Sequence, residues 1–330
     1  MISKHVLPFV LRKSIALILL LVAVSAISYS LMSFSPIDPV QSYIGADMTR
    51  VGPEQREAIA NYWGLNESKP EQFINWASSV LQGDLGTSLI YRAPVTAVIG
   101  ERLLATLALM GLAWILSGVL GITLGIIAGM KQGTWIDYLI KSYCYTLAST
   151  PAFWVGLLLL MFFSVWLGWF PVGLGTPAGI LAEDVSLLEQ LQHLCLPVLT
   201  LSIVGVSNIA LHTRQKLIDV LNSEYIRFAE AKGIKGLALL SLHVIRNISL
   251  PAISLHFASF GEIFGGAVLA EQVFSYPGLG QAVVKAGLGG DVPLLLGIVL
   301  VSAVFVFVGN TLADLLYKVI DPRIQRGDYA

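Results

Sequence analysis

Residues 103–130 read LLATLALMGLAWILSGVLGITLGIIAGM, a stretch without one Asp, Glu, Lys or Arg. A helix rises 1.5 Å per residue, so roughly 20 residues cross the ~30 Å hydrocarbon core of a bilayer, and this stretch is long enough. It is not alone. Charge-free runs also occupy 14–37, 142–182, 190–213 and 292–313, and 247–270 contains Glu262 as its one charge. The whole chain of 330 residues is 55% hydrophobic and 12% charged, against about 25% charged in a soluble domain. So little charge cannot dress a water-exposed surface. The fold class is all-α, a polytopic transmembrane helical bundle.

The same numbers exclude other classes. Twenty basic against 21 acidic residues give no surplus to attract a polyanion, so no nucleic acid is expected as a partner, whereas membrane lipid is. Cys144 and Cys195 both sit in or beside apolar runs and read as small buried hydrophobes, not as a disulfide framework. Lys4, Arg12 and Lys13 ahead of an apolar run would also suit a secretory signal, with Val24-Ser25-Ala26 as its cleavage site. The run continues to Phe34, beyond a signal core of about 7–15 residues, and is expected to be an uncleaved first span.

Six spans are predicted, near 15–35, 103–129, 141–167, 194–216, 248–270 and 294–317. The long run at 142–182 counts once, because Trp166, Trp169 and Phe170 followed by Pro171, Gly173 and Gly175 read as an interfacial aromatic belt and then a loop. Lys and Arg in short loops mark the cytoplasmic side. Lys4, Arg12 and Lys13, then Lys131 and Lys141, then Arg214, Lys216, Arg227, Lys232, Lys235 and Arg246, then Lys318, Arg323 and Arg326 all fall on one side if the N-terminus is inside. Both termini are therefore expected in the cytoplasm. Three segments follow: 1–102, a first span with an extracytoplasmic piece; 103–318, five spans with a cytoplasmic loop at 217–247; and 319–330, a cytoplasmic tail. Helices are predicted over Thr49 to Tyr62 and Gln72 to Leu81.

A membrane enzyme would need a catalytic set, and none of the usual ones is present. There is no His-Glu-x-x-His zinc pair, no Gly-x-Ser-x-Gly nucleophile turn and no phosphate-cradling Gly-x4-Gly-Lys-Ser/Thr loop. The chain is expected to be no enzyme, to bind no cofactor and to hold no metal; His193 and Cys195 alone are too few ligands. Ionisable groups at membrane depth are costly. Glu262 lies mid-span in Phe260-Gly261-Glu262-Ile263-Phe264-Gly265-Gly266, where small neighbours permit close helix approach or a cavity. It reads equally as a hydrogen-bonded packing residue or as part of a substrate pathway with Gly261, Gly265 and His256. His256 projects about 120° away from it on a regular helix. His212 beside Arg214, and Asp314 four residues before Lys318, read as structural groups at the inner surface.

Within 217–247, Tyr225-Ile226-Arg227-Phe228-Ala229-Glu230-Ala231-Lys232-Gly233 has helix-forming character with a glycine stop, and a second amphipathic stretch runs from His243 to Pro251. A short helix between two spans can act as a lever on a cytoplasmic partner or can be a plain solvated loop.

Arg227 to Gly233, with Pro251 eighteen residues beyond that glycine, resembles the cytoplasmic loop of ATP-binding-cassette importer permeases in their dipeptide, oligopeptide and nickel branch. Other segments resemble the same branch in the same order: Asp38-Pro39, Gly64-Leu65-Asn66, Gly83-Asp84-Leu85-Gly86-Thr87-Ser88, Pro94-Val95, Arg102-Leu103 with Thr106-Leu107, and Pro151-Ala152-Phe153-Trp154. The outer string Glu271-x-Val273-Phe274-x-x-Pro277-Gly278-Leu279-Gly280 and the terminal Asp321-Pro322-Arg323 complete the set. The general permease signature begins Glu-Ala-Ala, where this chain has Arg227, Phe228 and Ala229. Gly261-Glu262 looks more like nickel permeases than like the average peptide permease.

The resemblance implies a type I importer fold and a pathway shared with a second homologous permease. It also implies two ATPase subunits that hold ATP and Mg, an extracytoplasmic solute-binding protein, and the inner membrane of a prokaryote. By the same resemblance, Tyr225, Arg227, Ala229, Glu230, Ala231, Lys232 and Gly233 would contact the ATPase. Glu271, Phe274, Pro277, Gly278 and Gly280 would form an outer-loop motif, and the cargo would be a peptide or a nickel complex. A secondary transporter or channel working without ATPases is the alternative.

Overall fold

The computed structural model describes residues 3–44, 51–62, 65–177, 179 and 184–320. The terminal Asp321-Pro322-Arg323 string, most of the tail 319–330, Gly64 and the Lys318 side chain lie outside the described residues. The elements are helices throughout: α1 Ser3–Ser33, α2 Pro39–Ile44, α3 Pro53–Tyr62, α4 Lys69–Leu81, α5 Val95–Met130, α6 Trp135–Ala148 and α7 Ala152–Leu159. They continue with α8 Leu187–Leu221, α9 Glu224–Ala231, α10 Gly236–Leu239, α11 Ile245–Ala258, α12 Phe260–Val273, α13 Leu279–Leu288 and α14 Val292–Ile320. π-helical turns extend α7 over Leu160–Trp166 and join α10 to α11 over Leu240–Val244.

Four of these helices, α1, α5, α8 and α14, are by themselves long and apolar enough to cross a membrane. Two more spans come only as bent pairs. α6 and α7 meet at 106°, and α11 and α12 at 47°. The expected span 141–167 is therefore broken, and Pro151 is the reason. It lacks an N–H, sits extended at ψ 134°, and disfavours helical geometry in Thr150 before it. The second bend has a different cause. The His256 carbonyl accepts the Trp114 indole N–H at 3.1 Å and the Ser259 hydroxyl at 2.8 Å, so side chains insert where the helical ladder would continue.

Two compact units share the chain: Met1–Thr106 with Pro277–Phe307, and Leu107–Tyr276 with Val308–Ala330. In the first unit, Val95, Val98 and Ile99 of α5 pack on Leu279, Ala282 and Ala286 of α13 and on Leu294 and Ile298 of α14. The loop before α5 is stapled by Asp291, whose buried carboxylate accepts the Ser88 hydroxyl at 2.6 Å and the Ile90 N–H at 3.0 Å. Its other oxygen accepts the Leu294 N–H at 3.2 Å, capping α14. α4 opens on a capping box in which Glu71 takes the Ser68 N–H and hydroxyl. Helices are thus present in both of the expected stretches, beginning at Pro53 and Lys69.

The second unit is organised around α8. Its small-residue contact with α5 is set by glycines. A Cβ at Gly121, Gly125 or Gly129 would stand within 2.7 Å of the Ile209, Thr213 or Leu217 side chain respectively, so the α5 backbone lies directly against α8. The pairing climbs by four residues on both helices, which makes α5 and α8 parallel. The other spans run the opposite way along α8. Asp137 of α6 meets Arg214, Cys144 packs with Val206 and Ala210, and Gly156 of α7 faces Thr200. Ile248 of α11 clusters with Leu217, and Gly266 of α12 faces Leu201. Each bent pair therefore runs antiparallel along successive turns of α8, and counting each pair as one span gives up to six among the described residues.

Candidate functional site

α9 is built as a platform. Ser223 precedes it in extended conformation, and Gly233 at φ +87° ends it. The Ile234 N–H returns to the Ala229 carbonyl at 3.2 Å and the Gly233 N–H to the Glu230 carbonyl at 2.9 Å. Only one side of the helix is inward: Ile226 is 1% and Ala229 4% exposed, seated on Leu217 and Val220 of α8 with Leu239, Val244 and Ile248. The other side carries Tyr225 at 45% and Phe228 at 61% exposure, with Arg227, Glu230, Ala231, Lys232 and Gly233 also exposed. Arg227 pairs with Glu224 at 3.0 Å, and the Lys232 ammonium lies 4.4 Å from the centre of the Phe228 ring. Of the expected contact residues, Ala229 faces inward and the other six face outward. Ile226 and Phe228, which the sequence reading passed over, form the seat and the apolar part of the open face.

On α12, Glu262, Gly265 and Leu269 are exposed along one line of the helix, while Ile263, Ala267 and Ala270 are buried. Nothing lies within 4 Å of a Cβ placed on Gly265. His256 belongs to a different environment. Its ring is buried, stacked on Trp114 at 4.2 Å between centroids, and a Cβ at Gly118 would meet its Nε2 at 2.5 Å. Gly261 is partly buried beside the bend. The structure therefore separates Glu262 and Gly265 from His256.

His212 and Asp314, read separately from sequence, line one cavity of about 410 Å³ with Lys216, Thr213 and Ser254. It opens between α8, α11 and α14, within the second unit.

The outer string divides between the two units. In the second, Glu271 and Phe274 are buried, and the Phe274 carbonyl accepts the Leu174 N–H at 2.9 Å. His193 Nδ1 lies 3.0 Å and 2.8 Å from the Gly173 and Leu174 carbonyls, fixing the same loop. In the first unit, Gly278 caps α13, Gly280 is buried within it, and the Leu279 N–H donates to Thr106 Oγ1 at 2.8 Å. Pro277, ahead of that cap, is partly buried. The motif reads as architecture that shapes the ends of α12 and α13. Among the described residues, no group of three or more His, Cys, Asp or Glu side chains is placed to hold a metal ion.

Sequence reasoning missed Asp137. Its carboxylate is fully buried and takes a two-pronged contact from Arg214, Nε at 2.6 Å and Nη2 at 2.8 Å. An acid in the first turn after Gly133-Thr134 was the available signal, but its partner lies on another helix.

Residues 121–326 match the family model described as binding-protein-dependent transport system inner membrane component, and residues 6–110 match that family's N-terminal domain. The chain belongs to this family. The permease is 34% identical over 318 residues to the oligopeptide transport system permease protein AppB of Bacillus subtilis, covering 96% of this chain and 99% of that one. It is 35% identical over 308 residues to a putative peptide permease protein of Brucella suis, covering 93% and 95%. It is 34% identical over 319 residues to a probable peptide ABC transporter permease protein of Sinorhizobium fredii, covering 96% and 99%. The fold matches the crystal structure of an amino acid ABC transporter with histidines at a TM-score of 0.52 and 16% identity. That match covers 68% of this chain and 94% of that chain. The permease is thus a multi-pass inner membrane component of a transport system.

Proposed function

We propose that this permease is the membrane-spanning subunit of an ATP-driven importer for peptides. It works with a second homologous permease, two cytoplasmic ATPases that hold ATP and Mg, and an extracytoplasmic binding protein. The observation that carries the proposal is the division of α9. One side is anchored by Ile226 and Ala229, and the other offers Tyr225, Phe228, Arg227, Glu230 and Lys232 to a partner. A free helix would not be so firmly seated, and a plain loop would not expose two aromatic rings beside three charges. Of the two cargo classes, the names of the relatives favour peptide over nickel.

In this reading both termini and α9 are cytoplasmic, and the described extramembrane helices α2 to α4 stand outside, where the binding protein docks. ATP closes the two ATPases, α9 moves with them, and the spans exchange inward for outward access. Glu262 with Gly261 and Gly265 faces the pathway, and His256 supports that helix from behind. The exposed acid carries this assignment, since lipid is an unfavourable neighbour for a carboxylate. Affinity purification of the tagged chain from its own host tests the proposal. ATPase subunits and a second permease that co-purify support it, and a chain that purifies alone and transports without ATP refutes it.

A further inference from the structure

Asp137 has no exposed surface and no part in the peptide pathway or the ATPase contact described above. It sits in the first turn of α6. Its Oδ1 takes the Arg214 Nε–H at 2.6 Å, and its Oδ2 takes the Nη2–H at 2.8 Å and the Gly133 N–H at 3.0 Å. Lys141 Nζ stands 3.7 Å from the same Oδ2. A buried ion pair is a poor source of net stability, because the desolvation of both charges offsets most of their attraction. A guanidinium fork on a carboxylate does fix distance and orientation together. The geometry is what this pair contributes.

Its position gives that geometry a use. Arg214 lies less than one turn before Leu217 and less than two turns before Val220, the residues on which α9 is seated. At the same level a Cβ on Gly125 of α5 would stand 2.7 Å from the Ala210 carbonyl oxygen of α8 and one on Gly129 2.6 Å from the Leu217 side chain, which leaves little room for one helix to move without the other. α9, the end of α8 and the end of α5 are thus one packed body, and the fork ties the start of α6 to it. At its far end α6 stops at the 106° break before α7, so it can tilt without carrying α7 rigidly along.

We propose that Asp137 and Arg214 are a positioning pair that passes the displacement of α9 into the α6 half of the broken span, and so couples ATPase closure to the reorientation of the pathway. The inference rests on the importer reading above. The complete complex, reconstituted in liposomes with its binding protein, is assayed for ATP hydrolysed and for labelled peptide accumulated. ATP-independent behaviour of the wild type would sink the importer reading before the pair is tested.

Given ATP-driven wild-type uptake, Asp137→Asn with Arg214→Gln removes both charges and strands neither. The assembled variant is expected to keep hydrolysing ATP while consuming about fivefold or more ATP per peptide. Arg214→Lys, which keeps the charge and loses the fork, is expected to shift the ratio the same way and covers the case in which the double variant does not assemble. A purely structural pair would lower hydrolysis and uptake together with the amount of assembled complex. An unchanged ratio in either assembled variant overturns the proposal.

Discussion

Gly125 of α5 lies so close to Thr213 of α8 that a Cβ added to the glycine would stand 2.6 Å from the Thr213 Cβ and 2.7 Å from the Ala210 carbonyl oxygen. The second neighbour is backbone and cannot rotate away. Gly125→Ala is therefore expected to force the two helices apart and to cost about 1–3 kcal/mol, the usual range for overpacking. Gly111→Ala on the same helix meets nothing within 4 Å. It is expected to be neutral or to stabilise by up to about 1 kcal/mol through helix propensity. Thermal unfolding of the two purified variants in detergent gives the comparison, and equal midpoints would contradict the close-contact account.

Asp291 gives a pH prediction. Burial pushes its carboxyl above the ordinary value, while hydrogen bonds from Ser88, Ile90, Leu294 and Leu89 pull the other way. A folded-state pKa above the unfolded one means that protonation favours the folded form. This contribution is fully present below the ordinary carboxylate range and is lost as pH rises through the folded value. The wild type should therefore gain stability over Asp291→Asn as pH falls through that window. At neutral pH the variant should still be destabilised by about 1–3 kcal/mol, since its amide N–H₂ must face a backbone donor. A stability difference that is flat with pH would contradict the burial argument.

The two sides of α9 separate folding from coupling. Ile226→Asp buries a charge among Leu217, Val220 and Val244, and is expected to cost about 3–5 kcal/mol and to reduce the folded chain in the membrane. Phe228→Asp changes an exposed ring and is expected to leave stability within about 0.5 kcal/mol while weakening association with the ATPases. Expression level and ATPase co-purification, measured side by side, distinguish them. Comparable loss of folded protein from both variants would show that the outer face is not free.

Glu262→Gln addresses the pathway. The side chain is exposed on α12, so the substitution should leave the unfolding midpoint unchanged and lower peptide uptake. Normal uptake across pH would assign Glu262 to packing instead.

The environment and the apolar runs were legible because they depend on charge placement alone, as 103–130 shows. The path of the third span was not. Apolar content from 142 to 182 is blind to direction, and the turn depends on how Pro151 sits between two helices packed on different parts of α8. The glycines at 118, 121, 125 and 129 stand in the opening stretch, yet their meaning depends on His256, Ile209, Thr213 and Leu217, which face them from other helices. Asp137 was hidden for the same reason: a local motif shows the acid, and only the fold shows Arg214. The α9 segment could be read because a short helix with a glycine stop is a local signal. Which of its residues face inward was settled by the neighbours of Ile226 and Ala229.

The central claim is that this chain carries peptide only when ATPases move it through α9. Its most direct test is uptake of a labelled oligopeptide by liposomes holding the full complex, with and without ATP, for the wild type and for Arg227→Glu combined with Glu230→Lys. The account predicts accumulation by the wild type that needs both ATP and binding protein. It predicts that the charge-reversed variant hydrolyses ATP without accumulating peptide. Accumulation without ATP, or unaltered coupled uptake by the reversed variant, would contradict it.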